Sequence, residues 1–156
     1  MPKMFGEEMT TPYARATSGI AARDDITKLL RRFGCSSVGF MDNYEDHEVL
    51  LQFEHRGRQM RLRASAKGWA ALWLKENPYN GYRKSSENEH RAKALAQGHV
   101  AINSILRDWV KGQLMAVESG MLSFDAVFMP FMLTHDGRTI SERADQLGLL
   151  PAGAES

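Results

Sequence analysis

Several things are scarce in this sequence. It has one cysteine, Cys35, so it forms no internal disulfide and offers no thiolate pair to a metal. No stretch approaches the roughly 18 consecutive apolar residues of a membrane span. Residues 1–20 also lack the continuous apolar core of a signal peptide. The net charge of +1 indicates no class of partner. These absences favour a cytoplasmic protein that is not bound to a membrane.

Catalytic and metal-binding motifs are also missing. The sequence contains no glycine-rich phosphate loop, no dinucleotide-binding fingerprint and no nucleophile elbow. The histidines lack the spacing of a metal site; they are His47, His55, His90, His99 and His135. We therefore expect no enzymatic activity, no cofactor and no bound metal. An enzyme remains an alternative if dispersed residues such as Asp42, Asp46 and His47 converge in a pocket.

The composition is that of an ordinary globular protein. The chain has 156 residues, of which 43% are hydrophobic and 25% are charged. This length suits one core and is too short for two. We expect a flexible N-terminal arm at residues 1–20, a single domain at residues 21–150 and a polar tail at residues 151–156.

Periodicity predicts an α+β fold. The expected core is a three-stranded antiparallel meander flanked by helices (αβββα), followed by a long helix and short C-terminal helices. The predicted helices cover residues 24–33, 66–76 and 86–118, and the predicted strands cover residues 36–41, 48–54 and 58–64. Ser86 and Glu89 have capping-box spacing at the start of the long helix, as do Thr139 and Glu142 at the last one.

A hairpin between the second and third strands is the clearest local prediction. Arg56 and Gly57 separate two alternating runs, which places Phe53 opposite Met60 on an apolar face. The other face then carries Arg61 and Arg63, which we expect to form a continuous cationic surface open to solvent.

This basic region is the main functional signal. No acidic residue occurs from His55 to Lys75. The cations, and the aromatic rings that follow them, suit phosphates and stacked bases. The candidate nucleic-acid-binding residues are Arg56, Arg58, Arg61, Arg63, Lys67, Tyr79, Tyr82, Arg83 and Lys84. The alternative is a solvated face whose arginines pair with nearby acids.

A second hypothesis is a protein-interaction module, such as an inhibitor of a bacterial enzyme. A helix of about 30 residues is roughly 45 Å long, longer than the sheet requires, so part of it can pack on another subunit of a homo-oligomer. Methionine-rich segments also suit adaptable partner surfaces. The candidate interface residues are Trp109, Met115, Met121, Phe128 and Met132.

Residues 24–76 resemble a double-stranded RNA-binding domain in the order of their elements. Ser65-Ala66-Lys67 opens the second helix, where that family holds phosphates with basic residues. The resemblance implies this role for Lys67 alone, since Gly68-Trp69 follows where the family has further lysines.

Other segments resemble a family of small uncharacterised proteins from phages and prophages of α-proteobacteria. They are residues 66–71 (AKGWAA), 104–113 (SILRDWVKGQ), 116–120 (AVESG) and 136–139 (DGRT). The similarity spans most of residues 60–145 and implies a phage setting in a bacterial host cell. The resulting hypothesis is a phage-type nucleic-acid-binding accessory protein acting in replication, recombination or counter-defence.

Overall fold

The structure is a computed structural model that describes residues 11–81 and 86–153. Tyr82, Arg83 and Lys84 lie outside these residues, as do the first ten residues of the expected arm and the last three of the tail. The helices are α1 (Gly19–Phe33), α2 (Ala66–Glu76), α3 (Glu87–Glu118), α4 (Phe124–Phe128) and α5 (Ile140–Gln146). The strands are β1 (Ser37–Asn43), β2 (Glu48–His55) and β3 (Arg58–Ser65). The predicted α+β class and the order of elements are confirmed.

The three strands form one antiparallel sheet in chain order. Phe53 lies opposite Met60, as the hairpin register predicts. Arg56 and Gly57 have φ values of 52° and 78°, and positive φ at both positions is the type I′ geometry that matches the twist of a hairpin. The turn chemistry therefore sets which side chains of β2 and β3 face the core.

The main core lies between the inner face of the sheet and the helices α1 and α3. It contains buried residues from the sheet, both helices and α4, namely Ile26, Leu30, Leu51, Phe53, Met60, Leu106, Val110, Leu114 and Phe128. A second cluster around Trp69 joins α2 to α3. Burial of a large apolar side chain contributes about 1.5–3 kcal/mol, so these contacts fix α1 and α3 side by side on the sheet.

Helix α3 has 32 residues and both predicted limits. The capping box of Ser86 and Glu89 satisfies backbone groups at its start. A Cβ atom at Gly98 would lie 2.9 Å from the Ala66 carbonyl oxygen, so this glycine lets α3 approach the first turn of α2 within the same molecule. Among residues 11–81 and 86–153, no helix is both long and apolar enough to cross a membrane.

Residues 11–20 differ from the loosely held arm expected there. The buried Thr11 donates a hydrogen bond from its hydroxyl to Glu76 at 2.6 Å, and Trp69 donates from its indole N–H to the Pro12 carbonyl at 2.9 Å. These partners lie far away in sequence, so no local pattern indicates them. The segment is packed on the domain in the structure.

Helix α1 begins five residues before the predicted start at Asp24. Ser18 is its N-cap and accepts a hydrogen bond from the Ala21 N–H. The first apolar residue of the buried stripe used in the prediction is Ile26, so periodicity missed the polar first turns. The helix ends as predicted at Gly34, whose φ of 109° is in the left-handed region.

The segment after α4 lies along the outer edge of β3. Met132 forms an isolated bridge with Met60, and the Leu133 N–H donates to the Gln59 carbonyl at 2.8 Å. Pro130 lies in the short turn that ends α4, as its missing N–H predicts. The C-terminal region therefore brings Gly137 and α5 beside the basic hairpin.

Candidate nucleic-acid interface

The hairpin arginines lie where the register predicts. Arg61 and Arg63 project from β3 on the face opposite the core, Arg63 exposed and Arg61 half-buried. Met41 and Gly39 of β1 are exposed on the same face. This surface is open to solvent, but its charges are not unopposed.

Three hairpin arginines are engaged with partners inside the molecule. Arg63 pairs with Glu48 at 3.0 Å, and Arg58 pairs with Asp125 at 3.3 Å. Arg61 donates to the Gly137 carbonyl at 3.2 Å. The face is therefore a mixed surface, and the expectation of a continuous cationic one is wrong. Glu48 of β2 offsets Arg63 on that face, and Asp125 of α4 offsets Arg58 at the end of the hairpin. Both carboxylates lie outside the acid-free stretch of sequence.

The remaining hairpin cations are far apart. Arg56 is exposed at the tip, and Lys67 is exposed in the first turn of α2, beyond the other end of β3. β3 has 8 residues. At about 3.3 Å per residue, a strand of this length separates its ends by roughly 23 Å. The tip and the start of α2 are consequently separate contact points.

The aromatic part of the predicted site is only partly described. Tyr79 is half-buried, and its ring centroid lies 5.9 Å from that of the buried His90. Tyr82, Arg83 and Lys84 fall outside the described residues. A base-stacking role for this loop therefore stays a prediction.

A second cationic surface lies between α1 and α3. Lys28 and Arg32 of α1 face Arg107 and Lys111 of α3 across an open groove of about 610 Å³. Each helix contributes a basic pair at i,i+4 spacing, which places both members of a pair on one face. We call this surface, defined by those four cations, the interhelical groove.

The groove carries an excess of positive charge. Its lining contains four cations and two carboxylates, Asp25 and Asp108. Asp108 accepts hydrogen bonds from Arg107 at 3.1 Å and from the Tyr13 hydroxyl at 2.7 Å, and these bonds, with the Tyr13 bond foremost, lower its pKa. Within the described residues, Lys28, Arg32 and Lys111 form no ion pair. Their charges are available to a ligand.

In the sequence these cations fall in two predicted helices that are far apart along the chain. Nothing in the sequence shows that α1 and α3 pack side by side, so the groove could not be predicted. The two basic pairs at i,i+4 spacing, Lys28 with Arg32 and Arg107 with Lys111, were the available signal.

The predicted protein-interaction residues divide into two groups. Phe128 and Met132 are buried in the core, and the Trp109 ring packs edge-on against Phe128 at a centroid distance of 6.0 Å. Phe128 and Met132 cannot contact a partner without unfolding, so their assignment to an interface is wrong; apolar content alone does not distinguish core from interface. Met115 and Met121 are 60% and 71% exposed and remain accessible.

The residues proposed for a dispersed catalytic site do not share one hydrogen-bonded cluster. Asp42 forms a bidentate ion pair with Arg23, which lowers the pKa of that carboxyl. His47 Nδ1 lies 3.2 Å from His99 Nε2, whereas the Asp46 carboxylate accepts a hydrogen bond from the Asn43 side-chain amide. Among the described residues, no group of three or more His, Cys, Asp or Glu is arranged to hold a metal ion.

His55 closes the core at the hairpin tip. Its ring lies between Phe33 and Phe124, at centroid distances of 4.8 and 4.9 Å. Burial, and then the charge of Arg56, lower its pKa. The neutral ring thus links the hairpin to the last turn of α1.

Comparison with known proteins gives no match, whether to a family model, a curated protein or a solved structure. The resemblances to double-stranded RNA-binding domains and to phage proteins therefore stay predictions. Any assignment of function depends on the surfaces described above.

Proposed function

We propose that this protein binds nucleic acid, with phosphates lying along the interhelical groove. The observation that carries the proposal is a set of three cations on two packed helices, Lys28, Arg32 and Lys111, that form no ion pair within residues 11–81 and 86–153. The packed helices fix the backbone positions of these cations, so no backbone has to become ordered when they bind, and their potentials add across the groove. Phosphate contacts of this kind supply most of the affinity in sequence-independent binding.

The basic hairpin becomes an additional contact in this proposal. Arg56 follows His55, whose ring packs on Phe33 in the last turn of α1. Arg31 and Arg32 belong to that same turn. The tip and the end of the groove therefore lie at one end of the molecule, where a polyanion can reach both. The resemblance to phage proteins suggests an accessory role in replication, recombination or counter-defence.

A salt series tests this function. We expect mobility shifts with at least one of single- or double-stranded DNA or RNA at low salt, and a steep loss of affinity as salt rises because counterions are released. No shift with any of the four at low salt would refute nucleic-acid binding. An affinity that does not change with salt would contradict a phosphate-based interface.

Self-association is the second candidate function. Four large apolar side chains are each at least 43% exposed: Met115 near the end of α3, Met121 and Leu122 in the following turn, and Met129 directly after α4. Exposed apolar clusters commonly mark protein contacts. Light scattering of the wild type and of the Met115→Asp, Met121→Asp double variant tests this: a dimer that becomes a monomer supports it, and a monomeric wild type contradicts it.

A further inference from the structure

A second and larger cleft opens where α1 begins. It has a volume of about 820 Å³ and lies between residues 11–18, the first turn of α1 and the middle of α3. A Cβ atom at Gly19 would lie 3.1 Å from the Asn103 side chain, so this glycine lets the start of α1 approach α3 closely. The approach brings the first turn of α1 beside Ser104 and Arg107. We call this the N-terminal cleft.

The N-terminal cleft is positively charged. Arg15 and Arg107 line it, and no carboxylate is among its described lining residues, although Arg107 also pairs with Asp108 beside the cleft at 3.1 Å. Arg15 is exposed and forms no ion pair within the described residues. Helix α1 has no acidic residue in its first turn, so the partial positive charge of its N-terminus faces no acidic side chain there.

Ser104 gives the independent sign of a ligand. The residue is only 5% exposed, and among the described residues its hydroxyl has no hydrogen-bond partner. It lines the N-terminal cleft and is not one of the fully enclosed unpartnered atoms, so the hydroxyl opens onto the cleft. Because this hydroxyl has no partner among the described residues and lies in a cleft with two arginines, it can donate a hydrogen bond to a ligand oxygen.

The wall of the cleft is held in place from α3. Gln97 donates from its side-chain amide to the Ala16 carbonyl at 2.9 Å, and Tyr13 donates from its hydroxyl to Asp108 at 2.7 Å. Gln97 and Asp108 are eleven residues apart, about 16 Å along a helix. The segment that carries Arg15 is therefore anchored at both ends, which pre-organises the cleft.

We propose that the N-terminal cleft binds a phosphate group. The guanidinium groups of Arg15 and Arg107 and the hydroxyl of Ser104 contact its oxygens, and the N-terminal end of α1, at Ser18 and Ala21, lines one side of the cleft. Guanidinium forks and helix N-termini both match the charge and shape of phosphate. The volume of the cleft exceeds that of the anion and leaves room for the group to which the phosphate is esterified.

Two sources can supply this phosphate. One is a free phosphorylated small molecule, and the other is the terminal phosphate of a nucleic-acid strand that continues into the interhelical groove, with which the cleft shares Arg107. The second source rests on the proposed function, whereas the first does not.

Titration with inorganic phosphate, followed by amide NMR, tests the site itself. We expect shifts at Thr17, Ser18 and Ile20 that a chloride titration of equal ionic strength does not reproduce. Ser104→Ala and Arg15→Ala should each weaken binding about tenfold or more, since each removes a hydrogen bond to a charged group. Arg31→Ala, an exposed cation at the far end of α1, serves as the matched control and should bind like wild type.

Shifts that are absent, or that persist unchanged in both Ser104→Ala and Arg15→Ala, would overturn the proposal. Circular dichroism establishes that each variant is folded. If either variant unfolds, the other alone decides the outcome, and the exposed Arg15 can be replaced without disturbing the core.

Ligand competition then distinguishes the two sources. A nucleoside monophosphate that binds as tightly as a 5′-phosphorylated oligonucleotide assigns the cleft to a free small molecule. A 5′-phosphorylated oligonucleotide that binds more tightly than both its 5′-hydroxyl counterpart and the monophosphate assigns it to a strand terminus. Failure of both phosphorylated ligands to displace inorganic phosphate would refute the site. Loss of mobility shifts alone, with phosphate binding intact, would refute only the proposed function.

Discussion

The hairpin and the interhelical groove contain similar numbers of basic residues but differ in what surrounds them. Arg58 and Arg63 are paired with carboxylates of other elements, whereas Lys28 and Lys111 have no ion-pair partner among the described residues. A run of cations in sequence therefore overstates the positive surface when tertiary neighbours are acidic. Two short basic pairs on adjacent helices produce a positive surface that no single stretch of sequence indicates.

The largest expected effect is a loss of stability when the core residue that anchors α4 is truncated. Phe128 is fully buried against Phe53 and Trp109 and anchors α4, the helix that carries Asp125. Phe128→Ala should lower the free energy of unfolding by about 3–5 kcal/mol, because it leaves a cavity in the core. Urea denaturation measures this. Met121→Ala is the matched control, and a comparable loss from that exposed residue would contradict the core assignment.

Charge reversal in the groove should have the next largest effect. The triple variant Lys28→Glu, Arg32→Glu, Lys111→Glu should weaken nucleic-acid binding by about 100-fold at low salt, because it removes and reverses phosphate contacts. Fluorescence anisotropy with one labelled oligonucleotide provides the measurement. The double variant Lys75→Glu, Lys93→Glu alters exposed lysines outside the groove and is the control; equal weakening by both variants would show a nonspecific charge effect.

Acidification should lower the stability of the protein through His55, which packs the hairpin against the last turn of α1. Burial lowers the pKa of His55, so the folded state binds fewer protons than the unfolded state below the ordinary value near 6.5. The free energy of unfolding should therefore fall as pH decreases through and below about 6.5. His55→Phe should reduce this dependence in thermal denaturation at pH 7 and pH 5. Burial also lowers the pKa of His99, so the part of the pH dependence that comes from His99 should remain in the variant. An identical dependence of stability on pH in the variant would exclude His55 as its cause.

Charge reversal on the hairpin should have the smallest effect. Arg61→Glu, Arg63→Glu should reduce affinity by less than about threefold, since these arginines lie outside the groove and make none of its phosphate contacts. The same anisotropy assay, at the same salt, makes the comparison direct. A loss of affinity equal to that of the groove variant would identify the hairpin as the main nucleic-acid-binding surface.

Local signals in the sequence predict much of the fold. Arg56-Gly57 sets the hairpin register, Ser65 caps α2, and the capping boxes place the starts of α3 and α5. Each of these signals depends on residues within a few positions of one another, so tertiary packing is not needed to interpret them.

Non-local contacts account for what could not be predicted. The pairing of Arg58 with Asp125 joins residues 67 positions apart, and the bond from Trp69 to Pro12 joins residues 57 apart. No periodicity encodes such pairs. The pairing of the hairpin arginines with acidic residues and the packing of residues 11–17 are therefore visible only in the structure.

The most direct test of the nucleic-acid interface is an amide NMR map of the wild-type protein with a short oligonucleotide at low salt. Lys28, Arg32, Arg107 and Lys111 should shift together across α1 and α3, with small changes at Arg61 and Arg63. Perturbations confined to the outer face of β2 and β3 would contradict the assignment of the groove.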